Sequence, residues 1–154
     1  MRKLGSLPDA LGVGGFLSAA AWLVTMGAAS AAEHEIKMLN KGEAGIMVFE
    51  PAFLEIAPGD TIHFRAVHKG HNAASIDGMI PDGAAPWQGG LSKDVDVTFE
   101  VAGVHGVRCV PHYAMGMVAL IVVGDPSVNL EAARRVEHRG KAKARMADLL
   151  ARLD

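Results

Sequence analysis

The sequence has a single cysteine and no excess of basic charge. Because Cys109 is the only cysteine among 154 residues, no disulfide can form within the chain. Lysine and arginine number 15 against 17 acidic residues, which excludes the strongly basic surface typical of a nucleic-acid-binding protein. Half of the residues are hydrophobic, which is enough for one globular domain with a substantial core.

The one long apolar run lies at the N-terminus. A short basic start precedes an apolar stretch from 11 to 29, and small residues at 29–31 suit signal-peptide cleavage. We predict that residues 1–31 are a cleaved signal peptide and that the mature chain starts at Ala32; a retained membrane anchor is the alternative. The absence of a twin arginine favours export of the unfolded chain to the periplasm. Cleavage removes two basic residues and one acidic residue, leaving 13 basic against 16 acidic residues.

Beyond residue 32, short apolar runs alternate with turn residues. In 61–67, Ile62 and Phe64 alternate with polar neighbours, the pattern of a strand with one buried face. Residues 117–123 are apolar throughout, which predicts a strand buried on both faces. Their number and spacing predict an all-β domain over 32–124, a β-sandwich of about seven or eight strands. The strand-like runs are 34–39, 46–49, 53–56, 61–67, 71–76, 95–99, 104–110 and 117–123.

The C-terminal residues 125–154 have a different pattern. A proline at the start of this segment breaks the sheet pattern, and Asn129 is the predicted N-cap of a helix that Gly140 would end. Residues 141–153 place apolar side chains at helical spacing and predict a second amphipathic helix. We expect a helical hairpin that packs on the sandwich rather than a partner-binding segment.

Residues that can bind a metal are concentrated in one stretch. Cys109, His112 and Met117 lie within nine residues, and His71 lies upstream between two strand-like runs. A thiolate, an imidazole and a thioether are soft or borderline donors, which suit copper cycling between Cu(I) and Cu(II). We therefore predict one copper bound by His71, Cys109, His112 and Met117, with two histidines, one cysteine and a weak methionine ligand.

Two other histidines compete with His71 for its place in this site. His105 shares a strand face with the cysteine, and His68 lies three residues before His71. Asn72 is predicted to hydrogen-bond across to the cysteine strand and to support the ligands from behind. Pro111 removes one backbone donor and stiffens the loop.

These residues carry a family resemblance. The pattern Cys109-x-x-His112-x-x-x-x-Met117, preceded by Gly70-His71-Asn72, resembles the cupredoxins. Further stretches, at 38–42, 49–53, 78–81 and 111–117, together with the two predicted helices, resemble the pseudoazurins within that family. The resemblance implies a cupredoxin-like Greek-key sandwich of eight strands with two C-terminal α-helices and one type 1 blue copper. It also implies a periplasmic monomer that passes electrons from a cytochrome to nitrite reductase or a related reductase of denitrification.

The resemblance also implies how partners dock. The family uses an apolar patch around an exposed ligand histidine, ringed by basic residues. By position, Lys41, Lys69 and Arg108 would belong to the basic ring, and Ala114 and Met115 to the apolar patch.

Some positions depart from the family pattern. Val110 replaces a usual threonine, His105 replaces a usual aromatic residue, and Trp87-Gln88 supplies no basic residue where lysines are common. The partner would then differ, so an electron carrier for another respiratory enzyme is an alternative function.

Other function classes fit the sequence less well. An enzyme would need a second copper site with an open position and extra histidines, and no such histidine cluster is present in the sequence. A periplasmic copper-binding or storage protein would favour tracts of methionine or cysteine ligands, whereas here the methionines are scattered. The sequence therefore favours a soluble carrier of single electrons that is not an enzyme.

Overall fold

The computed structural model describes residues 30–154. The predicted signal peptide therefore lies outside the described residues, except for its last two positions. Within the described part of the chain, no helix has the length and apolar character needed to span a membrane.

Eight strands form two four-stranded sheets. The first sheet has the order β2-β1-β4-β6 and the second the order β3-β8-β7-β5. Strand β1 pairs in parallel with β4, and β3 with β8, while the other neighbours are antiparallel. The predicted all-β sandwich is thus confirmed. The strands are β1 (Glu33–Gly42), β2 (Gly45–Glu50), β3 (Phe53–Ile56), β4 (Asp60–Arg65), β5 (Ala74–Ser75), β6 (Val95–Phe99), β7 (Gly103–Arg108) and β8 (Val118–Val123).

The alternation of side chains along the strands explains the two layers. In β4, Ile62 and Phe64 are fully buried between the sheets, while the residues beside them face outward. All six residues of β8 are buried, as its apolar run predicted. Ala119 and Ile121 face the core between the sheets, whereas Leu120 faces a second core outside it.

Two helices cover the outer face of the second sheet. Helix α1 spans Leu130–Arg134 and α2 spans Lys141–Leu150. Ala142, Met146 and Leu150 are buried at helical spacing and pack with residues of β7 and β8 in the second core.

The first helix is shorter than the sequence predicts. It ends at Arg134 rather than at Gly140, and His138 beyond it hydrogen-bonds the Tyr113 hydroxyl at 2.5 Å. Asn129 occupies the predicted N-cap position, but its side chain makes no capping bond. Its Oδ1 accepts from the Val104 amide at 2.7 Å and its Nδ2 donates to the Val104 carbonyl at 2.9 Å. The asparagine thus joins the helix to β7.

The strand predicted at 71–76 is reduced to Ala74–Ser75. The residues before it pair with a neighbouring loop: the His71 carbonyl accepts from the Ser92 amide at 2.7 Å, and the Ala73 carbonyl accepts from the Gly89 amide at 2.8 Å. Because the chain leaves the sheet here, the His71 side chain can enter the end of the sandwich.

Candidate metal centre

The loop that follows β7 is held by its own backbone. The Cys109 amide donates to the Met117 carbonyl at 3.0 Å, which continues the β7–β8 pairing by one step. The Met117 amide donates to the His112 carbonyl at 3.2 Å, across a single 3₁₀ turn at Tyr113–Met115. Gly116 ends this turn with a φ of 92°, a conformation that favours glycine. The loop therefore fixes all three of its predicted ligands.

Three polar side chains converge between this loop and the segment before β5. His71 Nδ1 lies 3.1 Å from His112 Nδ1, and Cys109 Sγ lies 3.8 Å from the first and 3.5 Å from the second. His71 and Cys109 are fully buried and His112 is half-buried. Among residues 30–154, these three form the one group of three or more histidine, cysteine or acidic side chains whose ligand atoms lie close enough together to hold a metal ion.

The separations fit a trigonal copper site. Metal bonds of about 2.0 Å to nitrogen and about 2.3 Å to sulfur require donor separations of roughly 3.5–3.7 Å around a trigonal ion. The observed separations of 3.1–3.8 Å bracket that range. A thiolate with two imidazoles is also the donor set that copper prefers. Met117 is fully buried in the core that contains Cys109, where a thioether can approach the same site.

Asn40 sets the protonation of His71. Its Oδ1 lies 2.7 Å from His71 Nε2, and because an amide oxygen only accepts hydrogen bonds, Nε2 must carry the proton. The Nδ1 lone pair then faces Cys109 and His112. Asn40 was not among the site residues predicted from the sequence. The available signal was a polar side chain on the same strand face as the inward-pointing Ile36 and Met38.

Asn72 joins the two halves of the site. Its Oδ1 accepts from the Val110 amide at 2.9 Å, and its Nδ2 donates to the Gly89 carbonyl at 3.1 Å. The side chain is nearly fully buried, so both bonds are shielded from water. Pro111 lies in the same loop and is exposed.

The two competing histidines have other partners. His105 is buried, donates from Nε2 to the Val101 carbonyl at 2.8 Å and packs edge-on against Phe99. His68 Nδ1 accepts from the Asn40 amide at 3.1 Å and thereby supports the residue that holds His71. Neither belongs to the converging group.

Burial favours the neutral forms of His71 and Cys109 when no metal is bound. It lowers the pKa of His71, with a smaller contribution from the neighbouring His112 and His68. Burial also raises the pKa of the Cys109 thiol, an effect that the backbone N–H groups of Asn72 and His112 oppose. Since a thiolate is the form that binds metal, metal entry must release the thiol proton.

The surface above His112 is apolar. Val110 is 40% exposed and Met115 is 39% exposed, and Ala114 and Pro111 are exposed beside them. This apolar surface consists of those four residues.

The basic residues assigned to the docking ring lie in different settings. Lys41 and Lys69 are exposed at the ends of the segments that carry Asn40 and His71. Arg108 is half-buried and places its guanidinium 5.8 Å from the centre of the Tyr113 ring. It is therefore the least accessible of the three.

A two-sheet sandwich with a buried cysteine and two histidines at one end defines the cupredoxin class. Residues 36–124 match the family described as "Copper binding proteins, plastocyanin/azurin family". That range includes both sheets except the start of β1, and it contains all four predicted ligands.

Comparison with individual proteins narrows the class. The chain is 47% identical to pseudoazurin of Methylorubrum extorquens over 125 residues, covering 81% of this chain and 84% of that protein. It is 42% identical to pseudoazurin of Paracoccus pantotrophus, covering 89% and 94%. The crystal structure of the Methylobacterium extorquens pseudoazurin superposes with a TM-score of 0.77 at 47% identity, covering 79% of this chain and 99% of that chain. The chain belongs to the pseudoazurins.

Membership of this family defines the general activity. Pseudoazurins are copper-binding electron carriers of the cupredoxin class and are not enzymes. They use a single type 1 copper, and the converging side chains of His71, Cys109 and His112 provide a site for it here.

Proposed function

We propose that His71, Cys109, His112 and Met117 hold the copper, and that the protein carries single electrons to nitrite reductase or a related reductase of denitrification. The observation that supports this ligand set is the buried convergence of two imidazole nitrogens and a thiol sulfur at 3.1–3.8 Å. When bound, copper supplies a one-electron couple between Cu(I) and Cu(II).

The surrounding residues hold the ligands in one arrangement. Asn40 fixes the His71 ring, and Asn72 fixes the His71 segment against the cysteine loop. The Cys109 and Met117 backbones hydrogen-bond each other, so both sulfur ligands are attached to the β7–β8 pair. A rigid frame keeps the ligands from rearranging between oxidation states, and small rearrangement favours fast electron transfer.

His112 provides the exit for electrons. It is half-buried, while His71 and Cys109 are fully buried, so its ring edge is the part of the site nearest to solvent. The apolar surface formed by Val110, Pro111, Ala114 and Met115 can desolvate quickly against a partner. Lys41, Lys69 and Arg108 would then steer an acidic partner toward it.

The proposed location is the periplasm, reached by export and cleavage of residues 1–31. That compartment is oxidising, and a free thiol there is prone to oxidation. The burial of Cys109 beside two histidines supports a thiolate that is protected by a bound metal.

Two substitutions test the ligand set. We expect Cys109→Ser to abolish the intense visible absorption that Cu(II) gives with the parent chain, because a hydroxyl cannot replace the thiolate. Met117→Gln should keep the colour and lower the reduction potential, since an oxygen donor favours Cu(II). A coloured Cys109→Ser protein, or a raised potential for Met117→Gln, would contradict the assignment.

The partner is tested by oxidation of the reduced, copper-loaded protein. Purified nitrite reductase with nitrite should restore the visible absorption at a rate that depends on its concentration. If nitrite reductase is inactive and another respiratory reductase oxidises the protein, the partner assignment is wrong while the carrier function stands. If titration with copper gave several colourless copper ions bound per chain, the result would instead favour a copper-storage protein.

A further inference from the structure

The first residues of β1 carry a second set of metal donors. Cleavage after residue 31 would give a mature chain that begins Ala32-Glu33-His34. The inference below rests on the export and cleavage proposed above. A free α-amine followed by two peptide bonds and a histidine in third place offers four nitrogens in succession along the chain. Square-planar nitrogen sets of this kind suit Cu(II) and Ni(II).

The structure brings both ends of this donor set to one carboxylate. Asp60 Oδ1 accepts from the Ala32 nitrogen at 2.8 Å, and Asp60 Oδ2 lies 3.1 Å from His34 Nε2. No hydrogen bond to His34 Nδ1 occurs among the described residues. The His34 side chain is 25% exposed, and Ala32 and Glu33 are exposed. The Ala32 nitrogen, a peptide amide here that cleavage would convert to the amine, and the imidazole thus lie close to the same carboxylate, with His34 Nδ1 making no hydrogen bond to a described residue.

We propose that the mature N-terminus is a second metal site that binds Cu(II) or Ni(II). Its ligands are the Ala32 amine, the backbone nitrogens of Glu33 and His34, and His34 Nδ1. The ammonium and the two amides each release a proton to solvent on binding, so the four nitrogens can bond the ion. His34 must be third in the chain, because each added residue would insert another amide between the amine and the imidazole.

This site is separate from the copper centre. His34 lies six residues before Asn40 on the same strand, a distance of about 20 Å at the rise of a β-strand. Asn40 contacts His71, so the two metal sites are at opposite ends of β1.

The start of β1 is held by only one neighbouring strand. Pairing with β2 covers Lys37–Gly42 only, so residues 33–36 pair with β4 alone. Metal binding must break the Asp60 contacts, the bond from the Thr61 amide to the Ala32 carbonyl at 3.0 Å, and the pairing of Glu33 and His34 with β4. We therefore expect weaker binding than by the free peptide Ala-Glu-His.

The test uses Ni(II) added to the copper-loaded chain that starts at Ala32. Two variants provide controls: a chain extended by Ala31, in which histidine becomes the fourth residue, and His34→Gln. We expect the mature chain to bind one Ni(II) with the absorption of a square-planar complex, and both controls to lose it. Equal Ni(II) binding by the extended chain would overturn the inference.

Two further readings separate this inference from the proposed function. The visible absorption of the first copper, recorded in the same samples, should be unchanged in all three chains, because it depends on Cys109. Mass spectrometry of the exported protein should give a mature chain starting at Ala32. Cleavage at another bond would overturn the N-terminal site without affecting the electron carrier.

Discussion

At the scale of single residues, the position of one proton determines which ring nitrogen of His71 is free to bind metal. The side-chain oxygen of Asn40 accepts a hydrogen bond from His71 Nε2–H, which leaves Nδ1 free to bind metal. We expect Asn40→Ala to lower the copper affinity roughly 10–100-fold, the usual effect of removing such a partner. Competition with a chelator would measure it. Asn40→Asp, which keeps an acceptor oxygen, is the matched control and should retain most of the affinity; an unchanged affinity in Asn40→Ala would contradict this role.

His105 makes the fold sensitive to acid. Burial lowers the pKa of His105, and the bond to the Val101 carbonyl opposes this only in part. As the pH falls below the ordinary histidine pKa of about 6.5, the unfolded chain takes up this proton before the folded chain does. The contribution to stability is therefore complete above that pH and is lost below it. We expect His105→Phe, which can keep the contact with Phe99, to reduce the loss of unfolding free energy between about pH 7 and pH 5.

His63 is the control for this prediction, because its contribution to stability changes with pH in the opposite direction. Hydrogen bonds that the His63 ring donates to Asp96 and, with a smaller effect, to Glu33 raise the pKa of His63. Its contribution is complete below the ordinary histidine pKa and is lost as the pH rises through the raised value. Denaturant unfolding across the pH range should thus show His63→Gln losing stability on the acid side relative to the parent. An acid response that is identical in His105→Phe and the parent would show that His105 does not determine it.

At the scale of elements, the sequence correctly predicted those strands that are marked by the hydrophobic pattern of their own residues. The alternation around Ile62 and Phe64 located β4, and the apolar run at 117–123 located β8. The predicted bounds were wrong for elements whose ends are determined by contacts with residues distant in sequence. Helix α1 ends early at Arg134, and β5 is short because the residues before it pair with the loop at 89–92.

The same distinction applies to the site. Cys109, His112 and Met117 are close in sequence, so their spacing alone indicated a metal-binding loop. The contact of Asn40 with His71 depends on a chain separation of 31 residues and on the register of β1. A single sequence does not supply that register directly, because it arises from pairing with β2 and β4.

The start of α2 packs directly on the ligand loop. A Cβ atom on Gly140 would lie 2.3 Å from the Ala114 carbonyl oxygen, and its φ of 57° already disfavours other residues. We expect Gly140→Ala to reduce the unfolding free energy and to perturb the visible spectrum of the copper-loaded protein. Gly83→Ala is the control, because φ is also positive there but no atom lies within 4 Å.

Comparison of the two variants separates the cost of the backbone strain at positive φ from the cost of the contact between the added Cβ and the Ala114 carbonyl. Gly83→Ala should cost only the conformational penalty, about 1–2 kcal/mol in denaturant unfolding, and leave the spectrum unchanged. Gly140→Ala should cost more, because the carbonyl must also move. Equal costs and equal spectra would show that the helix does not constrain the loop.

At the scale of the whole molecule, the charges are unevenly distributed. Residues 32–154 contain 13 basic and 16 acidic residues. Several acidic residues lie on the outer face of the first sheet, where Asp94 and Asp96 pair with Arg65, and Asp96 and Glu33 pair with His63. Lys41 and Lys69 are exposed near the metal centre. A protein with a net negative charge can therefore still present a basic region to an acidic partner.

This arrangement predicts a salt-dependent electron-transfer rate. We expect the double variant Lys41→Glu and Lys69→Glu to slow the second-order reaction with an acidic partner at low ionic strength, while the visible spectrum stays the same. Lys37→Glu with Lys143→Glu changes the net charge equally, at exposed positions on the outer sheet face and on α2, and should have a smaller effect. Near 0.15 M ionic strength, where screening acts over about 8 Å, the two double variants should converge. Stopped-flow measurement of the rate against salt concentration provides the check, and equal rates at low salt would place docking elsewhere.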